Sequence, residues 1–113
     1  MKIGISSTGK ELTDNVSEVF ARCPYFIIVE IKSGEIKKFE AIENKIQDTM
    51  HGAGVSAAQL LAEENIEAVI TKNIGPRAFD VLRQFNIKVF YGSGKISEVL
   101  KDFLEGKLEE FSQ

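Results

Sequence analysis

The first half of the chain carries its apolar residues in short β-branched and aromatic runs bounded by turn residues. Residues 2–6, 25–32 and 35–42 have this pattern and are predicted as strands. Ser33 and Gly34 separate the second run from the third and form a two-residue hairpin signal. The pattern therefore predicts an antiparallel meander, with a helical turn at residues 16–20 between its first two strands.

The second half of the chain changes to the spacing of amphipathic helices alternating with short apolar strands. The predicted elements are a helix ending at Asn65, a strand at residues 66–71, a helix from Gly75-Pro76 to Asn86, a strand at residues 87–91, and a helix at residues 96–104. The apolar face of the middle helix is predicted to consist of Ala78, Phe79, Leu82 and Phe85. Alternation of this kind predicts parallel strands joined by right-handed crossovers.

Together the two halves predict an α/β fold. Its sheet is mixed and five-stranded, in the order 3-2-1-4-5, with helices packed on its faces. No linker divides the chain, so residues 1–106 are predicted to form a single domain and residues 107–113 a C-terminal tail.

Composition narrows the classes of function. The chain has 113 residues and a net charge of −3, which argues against non-specific binding to nucleic acid or to an anionic membrane. The chain has a single cysteine, so it cannot form an internal disulfide. With a single histidine as well, it has too few ligands for a metal site closed by four Cys and His side chains. Because no signal or membrane-spanning segment is evident, we expect a cytoplasmic protein. We also expect it to be a monomer or a weak dimer.

The predicted topology brings four loops to the same end of the sheet, namely residues 7–24, 44–54, 72–76 and 92–94. These loops contain the single cysteine, Cys23, and the single histidine, His51. The three predicted helices also begin at this end, and a helix N-terminus presents unpaired N–H groups and a partial positive charge. This end of the sheet would suit an anionic ligand with a soft or metal-containing part.

Three motifs occur in these loops and in a fixed order. They are Arg22-Cys23-Pro24-Tyr25-Phe26 before a strand, His51-Gly52-Ala53-Gly54 before a helix, and Thr71-Lys72-Asn73-Ile74-Gly75-Pro76 after a strand. Over residues 2–106 the chain resembles the dinitrogenase iron–molybdenum cofactor biosynthesis family. The resemblance implies a ribonuclease H-like fold and a small domain that binds or carries nitrogenase cofactor and its precursors.

Two side chains are the candidate metal ligands. His51 would act as a ligand or hydrogen-bond donor, and the alternative is a solvated residue beside a helix N-terminus. Cys23 would supply a thiolate to iron, since soft sulfur ligands suit iron–sulfur chemistry. The alternative for Cys23 is a small buried apolar residue, because free cysteines are among the most buried residue types.

Backbone groups in the same loops are the candidate anion contacts. They belong to Gly52, Gly54, Asn73, Ile74 and Gly75. Ordinary structural roles are the alternatives: the glycines would form turns or caps, and residues 73–77 would form a strand-to-helix turn with proline at the first helical position.

The function predicted from these features is non-enzymatic: binding or carrying an anionic iron–sulfur or iron–molybdenum-type cofactor or precursor. The cluster would be held transiently, and the partners would be cluster-assembly proteins. One alternative is a protein–protein or regulatory module that uses the same end of the sheet. Another is a small-molecule enzyme with His51 as its base. A two-metal nuclease is disfavoured, because the first and fourth predicted strands carry no carboxylate at their centres.

Overall fold

The computed structural model describes residues 1–45 and 52–112. The elements, numbered along the chain, are β1 (Lys2–Ser7), β2 (Tyr25–Lys32), β3 (Glu35–Glu43), α1 (Ala53–Glu63), β4 (Ala68–Thr71), α2 (Pro76–Gln84), β5 (Lys88–Tyr91) and α3 (Ile96–Leu104). A single 3₁₀ turn at Phe20–Arg22 precedes β2. None of the helices in these two described ranges is both long enough and apolar enough to cross a membrane.

The strands form one mixed sheet in the order β3-β2-β1-β4-β5, as predicted. β2 is antiparallel to both β1 and β3, whereas β4 is parallel to both β1 and β5. Because β1 and β4 run in the same direction, the segments that follow them leave the sheet at the same end.

The two faces of the sheet carry separate apolar cores. Successive side chains of a strand point to opposite faces. Accordingly Ile28 packs with α1 and α2 on one face, while Ile27 packs with α3 on the other. The strand β2 is therefore buried on both faces, which explains its nearly continuous apolar sequence.

Two asparagines end helical segments in the left-handed conformation, as the sequence predicts. Asn65 has a φ of 61° and Asn86 a φ of 60°. Phe85 departs from the prediction that it lies on the apolar face of α2. It is 55% exposed, because α2 ends at Gln84 and Phe85 is the C-cap residue, which no longer continues the buried face of the helix.

The C-terminal segment, predicted as a tail, covers one edge of the sheet. The Phe111 N–H donates to the Val89 carbonyl at 2.8 Å, and the Tyr91 N–H donates to the Glu109 carbonyl at 2.8 Å. The rings of Tyr91 and Phe111 also lie 6.2 Å apart, and Phe111 packs against the core under α2. Residues after Gly106 therefore extend the folded unit along β5.

Candidate functional site

A groove lies where the N-termini of α1 and α2 meet the 3₁₀ turn. It encloses about 400 Å³, which is within the range of small-ligand sites. Its lining comes from three segments: Val19, Phe20, Ala21 and Arg22; Gly52, Ala53, Gly54 and Val55; and Gly75, Pro76, Arg77 and Ala78. Three of the four loops that we expected at this end, residues 7–24, 44–54 and 72–76, thus contribute residues to the lining of one cavity.

Both helices present unpaired backbone donors at the groove. The first ladder hydrogen bond of α1 runs from Ser56 N to Gly52 O at 2.9 Å, and that of α2 from Phe79 N to Gly75 O at 3.0 Å. The N–H groups before these bonds have no partner within their helices. They belong to Ala53, Gly54, Val55, Arg77 and Ala78. Both N-cap residues are glycines, and no side chain in the described parts of the chain caps these groups.

Gly54 allows the two helix starts to approach each other closely. A Cβ built on Gly54 would lie only 3.1 Å from the Cβ of Ala78. Few real Cβ contacts are that short, so a larger residue at position 54 would push the helices apart. Because Gly54 has no side chain, the N-termini of α1 and α2 can both face the same cavity.

Asn73 fixes the position of residues 19–22, which form one wall of the groove. Its side-chain amide donates to the Glu18 carbonyl at 2.8 Å, and its own carbonyl accepts from the Phe20 N–H at 2.9 Å. Lys72 strengthens the same junction with a 3.0 Å salt bridge to Glu18, and this contact raises the pKa of Lys72. The loop after β4 therefore fixes the 3₁₀ turn beside α2.

The charge around the groove is positive. Arg22 and Arg77 both line it and both are exposed, and each helix N-terminus adds a partial positive charge. In residues 1–45 and 52–112, no carboxylate lies among the lining residues. The described part of the groove is therefore cationic, although the whole chain has a net charge of −3.

Cys23 lies beneath the groove in the core. It is 1% exposed, and its Sγ–H donates to the Phe20 carbonyl at 3.3 Å. Burial raises the pKa of the Cys23 thiol to about 11, so the thiol stays protonated at neutral pH. This environment favours the alternative of a small buried apolar residue, and the role of Cys23 as a thiolate ligand stays a prediction.

The structure separates the predicted anion contacts into two groups. Gly52, Gly54 and Gly75 line the groove. Asn73 is occupied in binding the Glu18 carbonyl, and Ile74 packs against the core beside Phe111. Neither Asn73 nor Ile74 lines the groove, so for these two the structure favours the alternative of a strand-to-helix turn.

His51 lies outside the described residues, and its role as a ligand stays a prediction. In residues 1–45 and 52–112, no group of three or more His, Cys, Asp or Glu is placed to hold a metal ion. The described part of the groove offers hydrogen-bond donors and positive charge instead.

Sequence reasoning missed part of the groove. Ala53, Val55 and Ala78 contribute lining and backbone N–H groups, but none was a candidate. The signal for Ala78 was available, because proline at position 76 marks the first helical residue and the next two N–H groups are then unpaired. The loop at residues 92–94 was expected here, yet it meets the loop before β2 instead, through Val16 N to Gly94 O at 2.8 Å.

Comparison with known proteins supports one assignment. The family model for the dinitrogenase iron-molybdenum cofactor matches residues 1–106. The protein MJ0580 of Methanocaldococcus jannaschii is 44% identical over 112 residues, which cover 98% of this chain and 92% of that protein.

Two solved structures are similar over nearly the whole chain. The apo form of the orange protein from Desulfovibrio gigas has a TM-score of 0.91 at 28% identity, covering 98% of this chain and 92% of that one. A protein from Thermotoga described as a putative NifB protein has a TM-score of 0.80 at 37% identity, covering 99% and 97%. With the family match over almost its full length, this chain belongs to the dinitrogenase iron-molybdenum cofactor family.

Proposed function

We propose that the groove binds an anionic iron–sulfur or iron–molybdenum-type cofactor, or a precursor of one, without transforming it. One observation carries the proposal: the N-termini of α1 and α2 meet at a single cavity that is also lined by Arg22 and Arg77. Family membership supports the class of ligand, because it links the fold to the iron-molybdenum cofactor.

The donors in the groove favour a ligand with several negative charges. Each helix N-terminus behaves as roughly half a positive charge, and a guanidinium adds a full one with a planar set of donors. The unpaired N–H groups of both helices would contact sulfide or oxygen atoms on the surface of the ligand. A cationic ligand would meet repulsion from the same groups.

Apolar atoms complete the groove and suit a ligand of mixed character. Val19, Val55 and Pro76 lie among the lining residues between the charged groups. A cluster with polarisable sulfur atoms can pack against such side chains while its charge is met by the N–H groups. The groove would therefore recognise both parts of the ligand.

His51 is the proposed metal ligand within this site. It directly precedes Gly52, and Gly52 lines the groove. A neutral imidazole binds iron well, and a single protein ligand would leave most of the coordination of the cluster to its own atoms. A cofactor held in this way would be released readily to a cluster-assembly protein, which is the proposed partner.

The test is an anaerobic titration of the purified protein with isolated iron–molybdenum cofactor, and separately with a synthetic iron–sulfur cluster. The Arg77→Gln variant should bind about tenfold more weakly, since a hydrogen bond to a charged group contributes roughly 1.5 kcal/mol. Arg83→Gln is the matched control, because Arg83 is on the same helix but packs over the Phe79 ring, away from the groove lining. His51→Ala should also lower the affinity.

Absence of binding by the wild type would contradict the proposal. Equal binding by wild type, Arg77→Gln and His51→Ala would contradict the proposed site. If the protein instead captures a partner protein and that affinity survives metal chelation, the alternative of a regulatory module would be favoured.

A further inference from the structure

The C-terminal segment, residues 107–112, contacts the cores on both faces of the sheet. Leu108 packs against the core under α3, and Phe111 packs against the core under α2. Between these two side chains, the bridge of Glu110 to Phe90 fixes the segment along the edge of β5. The segment lies beyond residues 1–106, over which the family model matches. A part of the chain outside that match is thus anchored against α2.

Phe111 lies beside the turn of α2 that also forms the groove. A second cavity, of about 190 Å³, is lined by Ile74, Pro76, Phe79, Phe111 and Ser112. Pro76 lines the groove as well, and it is the first residue of α2. Phe79 supplies the N–H of the first ladder hydrogen bond of this helix, to the Gly75 carbonyl. Phe111 and the groove therefore share one helical turn.

The first turn of α2 is exposed and has a glycine as its N-cap residue. Gly75 has no side chain that could accept a hydrogen bond from the N–H groups of the helix. Residues 75–77 are all exposed, and burial in this turn begins at Ala78. The start of such a helix is held in place mainly by tertiary packing. The packing of Phe111 beside Pro76 therefore bears directly on the order of this turn.

We propose that Phe111 is a positioning residue for the groove. Its packing keeps the first turn of α2 in the conformation that presents the N–H groups of Arg77 and Ala78 to the ligand. This role rests on the proposed function, which assigns those N–H groups to the ligand. When the C-terminal segment leaves β5, the turn is released, so only the fraction of molecules with the segment docked binds the ligand. By linkage, a ligand in the groove holds the segment against β5.

Native-state hydrogen exchange of the wild type tests the coupling without any ligand or substitution. The Phe79 N–H bonds to the Gly75 carbonyl, and the Phe111 N–H bonds to the Val89 carbonyl. If Phe111 holds the turn, both amides should exchange through one opening, with the same free energy and the same dependence on urea. Stronger protection of the Phe79 N–H would overturn the proposal, because the turn would then outlast the docked segment. Weaker protection would also overturn it, because the turn would then open while Phe111 stays in place.

Substitution of Phe111 tests the effect on affinity. In an anaerobic titration with a synthetic iron–sulfur cluster, Phe111→Ala should bind about tenfold more weakly than wild type, because the turn is then released in most molecules. Phe111→Leu keeps a large apolar side chain and should restore most of the affinity. Leu108→Ala is the matched control, because Leu108 belongs to the same segment but packs against the other core. It should lower the melting temperature and leave the affinity within about twofold of wild type.

The possible results separate this role of Phe111 from the proposed function. If the wild type binds no cluster, the proposed function fails, and the exchange measurement alone decides whether Phe111 holds α2. If the wild type binds, equal affinities of Phe111→Ala and wild type would overturn the positioning role and leave the proposed function standing. Equal losses of affinity in Phe111→Ala and Leu108→Ala would overturn it too, because a general loss of stability would then account for both.

Discussion

The side-chain amide of Asn44 donates a 2.8 Å hydrogen bond to the carbonyl of Cys23. The same nitrogen donates to the Ala21 carbonyl at 3.0 Å. Asn44 is fully buried and directly follows β3, so it ties the end of that strand to the turn that forms one wall of the groove. The position of Arg22 between these two carbonyls depends on this contact.

Replacing Asn44 with leucine should lower the free energy of unfolding by about 1–3 kcal/mol. The side chain keeps a similar size, but two buried carbonyls lose their donor. Urea denaturation of the variant and of wild type would measure the difference. Gln59→Leu is the control, because Gln59 is an exposed amide on α1 and its replacement should change stability by under about 0.5 kcal/mol. Equal losses in the two variants would show that the Asn44 bonds do not stabilise the turn.

The raised pKa of Cys23 predicts a stability that falls in alkaline solution. The folded thiol has a pKa of about 11, against an ordinary value of 9.0 for the exposed group, because burial disfavours the thiolate. Between these values the unfolded chain has lost the proton and the folded chain retains it, so stability declines as the pH rises. The shift corresponds to about 2–3 kcal/mol, which is fully present below pH 9 and lost by pH 11.

Comparison with Cys23→Ala isolates this effect from the other groups that titrate in the same range. The difference in unfolding free energy between wild type and variant should shrink between pH 8 and pH 11 by the amount given by the pKa shift. A difference that stays constant across that range would mean that the thiol titrates normally in the folded protein.

Alanine should destabilise the protein much more at Gly92 than at Gly75. A Cβ on Gly92 would lie 2.5 Å from Ile70 Cγ2 and 2.7 Å from Val99 Cγ1, so Gly92→Ala should destabilise the protein by about 1–3 kcal/mol through overpacking. A Cβ on Gly75 meets nothing within 4 Å, and Gly75→Ala should cost well under 1 kcal/mol. Thermal unfolding followed by circular dichroism compares them. Equal melting temperatures would contradict the packing around Gly92.

Serine at position 75 should raise stability and lower ligand affinity together. Gly75 has φ and ψ of −74° and 159°, the extended conformation of an N-cap residue. A serine hydroxyl there would accept a hydrogen bond from the Ala78 N–H and raise the free energy of unfolding by a few tenths of a kcal/mol. The Ala78 N–H would then no longer be available to bind the ligand. A melting temperature above that of wild type with weaker cofactor binding is expected. Tighter binding by Gly75→Ser would argue that the ligand does not use the N-terminus of α2.

The order of strands and helices followed from the sequence because each depends on local periodicity and on turn residues such as Asn65 and Asn86. Features that depend on contacts between residues far apart in the chain could not be predicted in this way. The turn predicted at residues 16–20 lies instead at Phe20–Arg22, because Val16 forms a bridge with Ser7. The burial of Cys23 depends in the same way on Asn44, which lies far from it along the chain.

The groove was predicted as a region rather than as a set of contacts. Topology placed the loops around Gly52 and Gly75 at the same end of the sheet, and both line the cavity. No local pattern shows that Gly54 approaches Ala78, so the meeting of the two helix starts was not foreseen. Periodicity also could not distinguish Asn73 as a ligand from Asn73 as the residue that holds the Glu18 loop.

The location of the cofactor is tested most directly by amide NMR of ¹⁵N-labelled protein during anaerobic addition of a paramagnetic iron–sulfur cluster. Binding in the groove predicts that line broadening is strongest at Ala53, Gly54, Val55, Arg77 and Ala78. The amides of the hairpin at Ser33 and Gly34, at the opposite end of the sheet, should keep their intensity. Broadening centred on the hairpin or on β3, or an unchanged spectrum at saturating cluster, would contradict the proposed site.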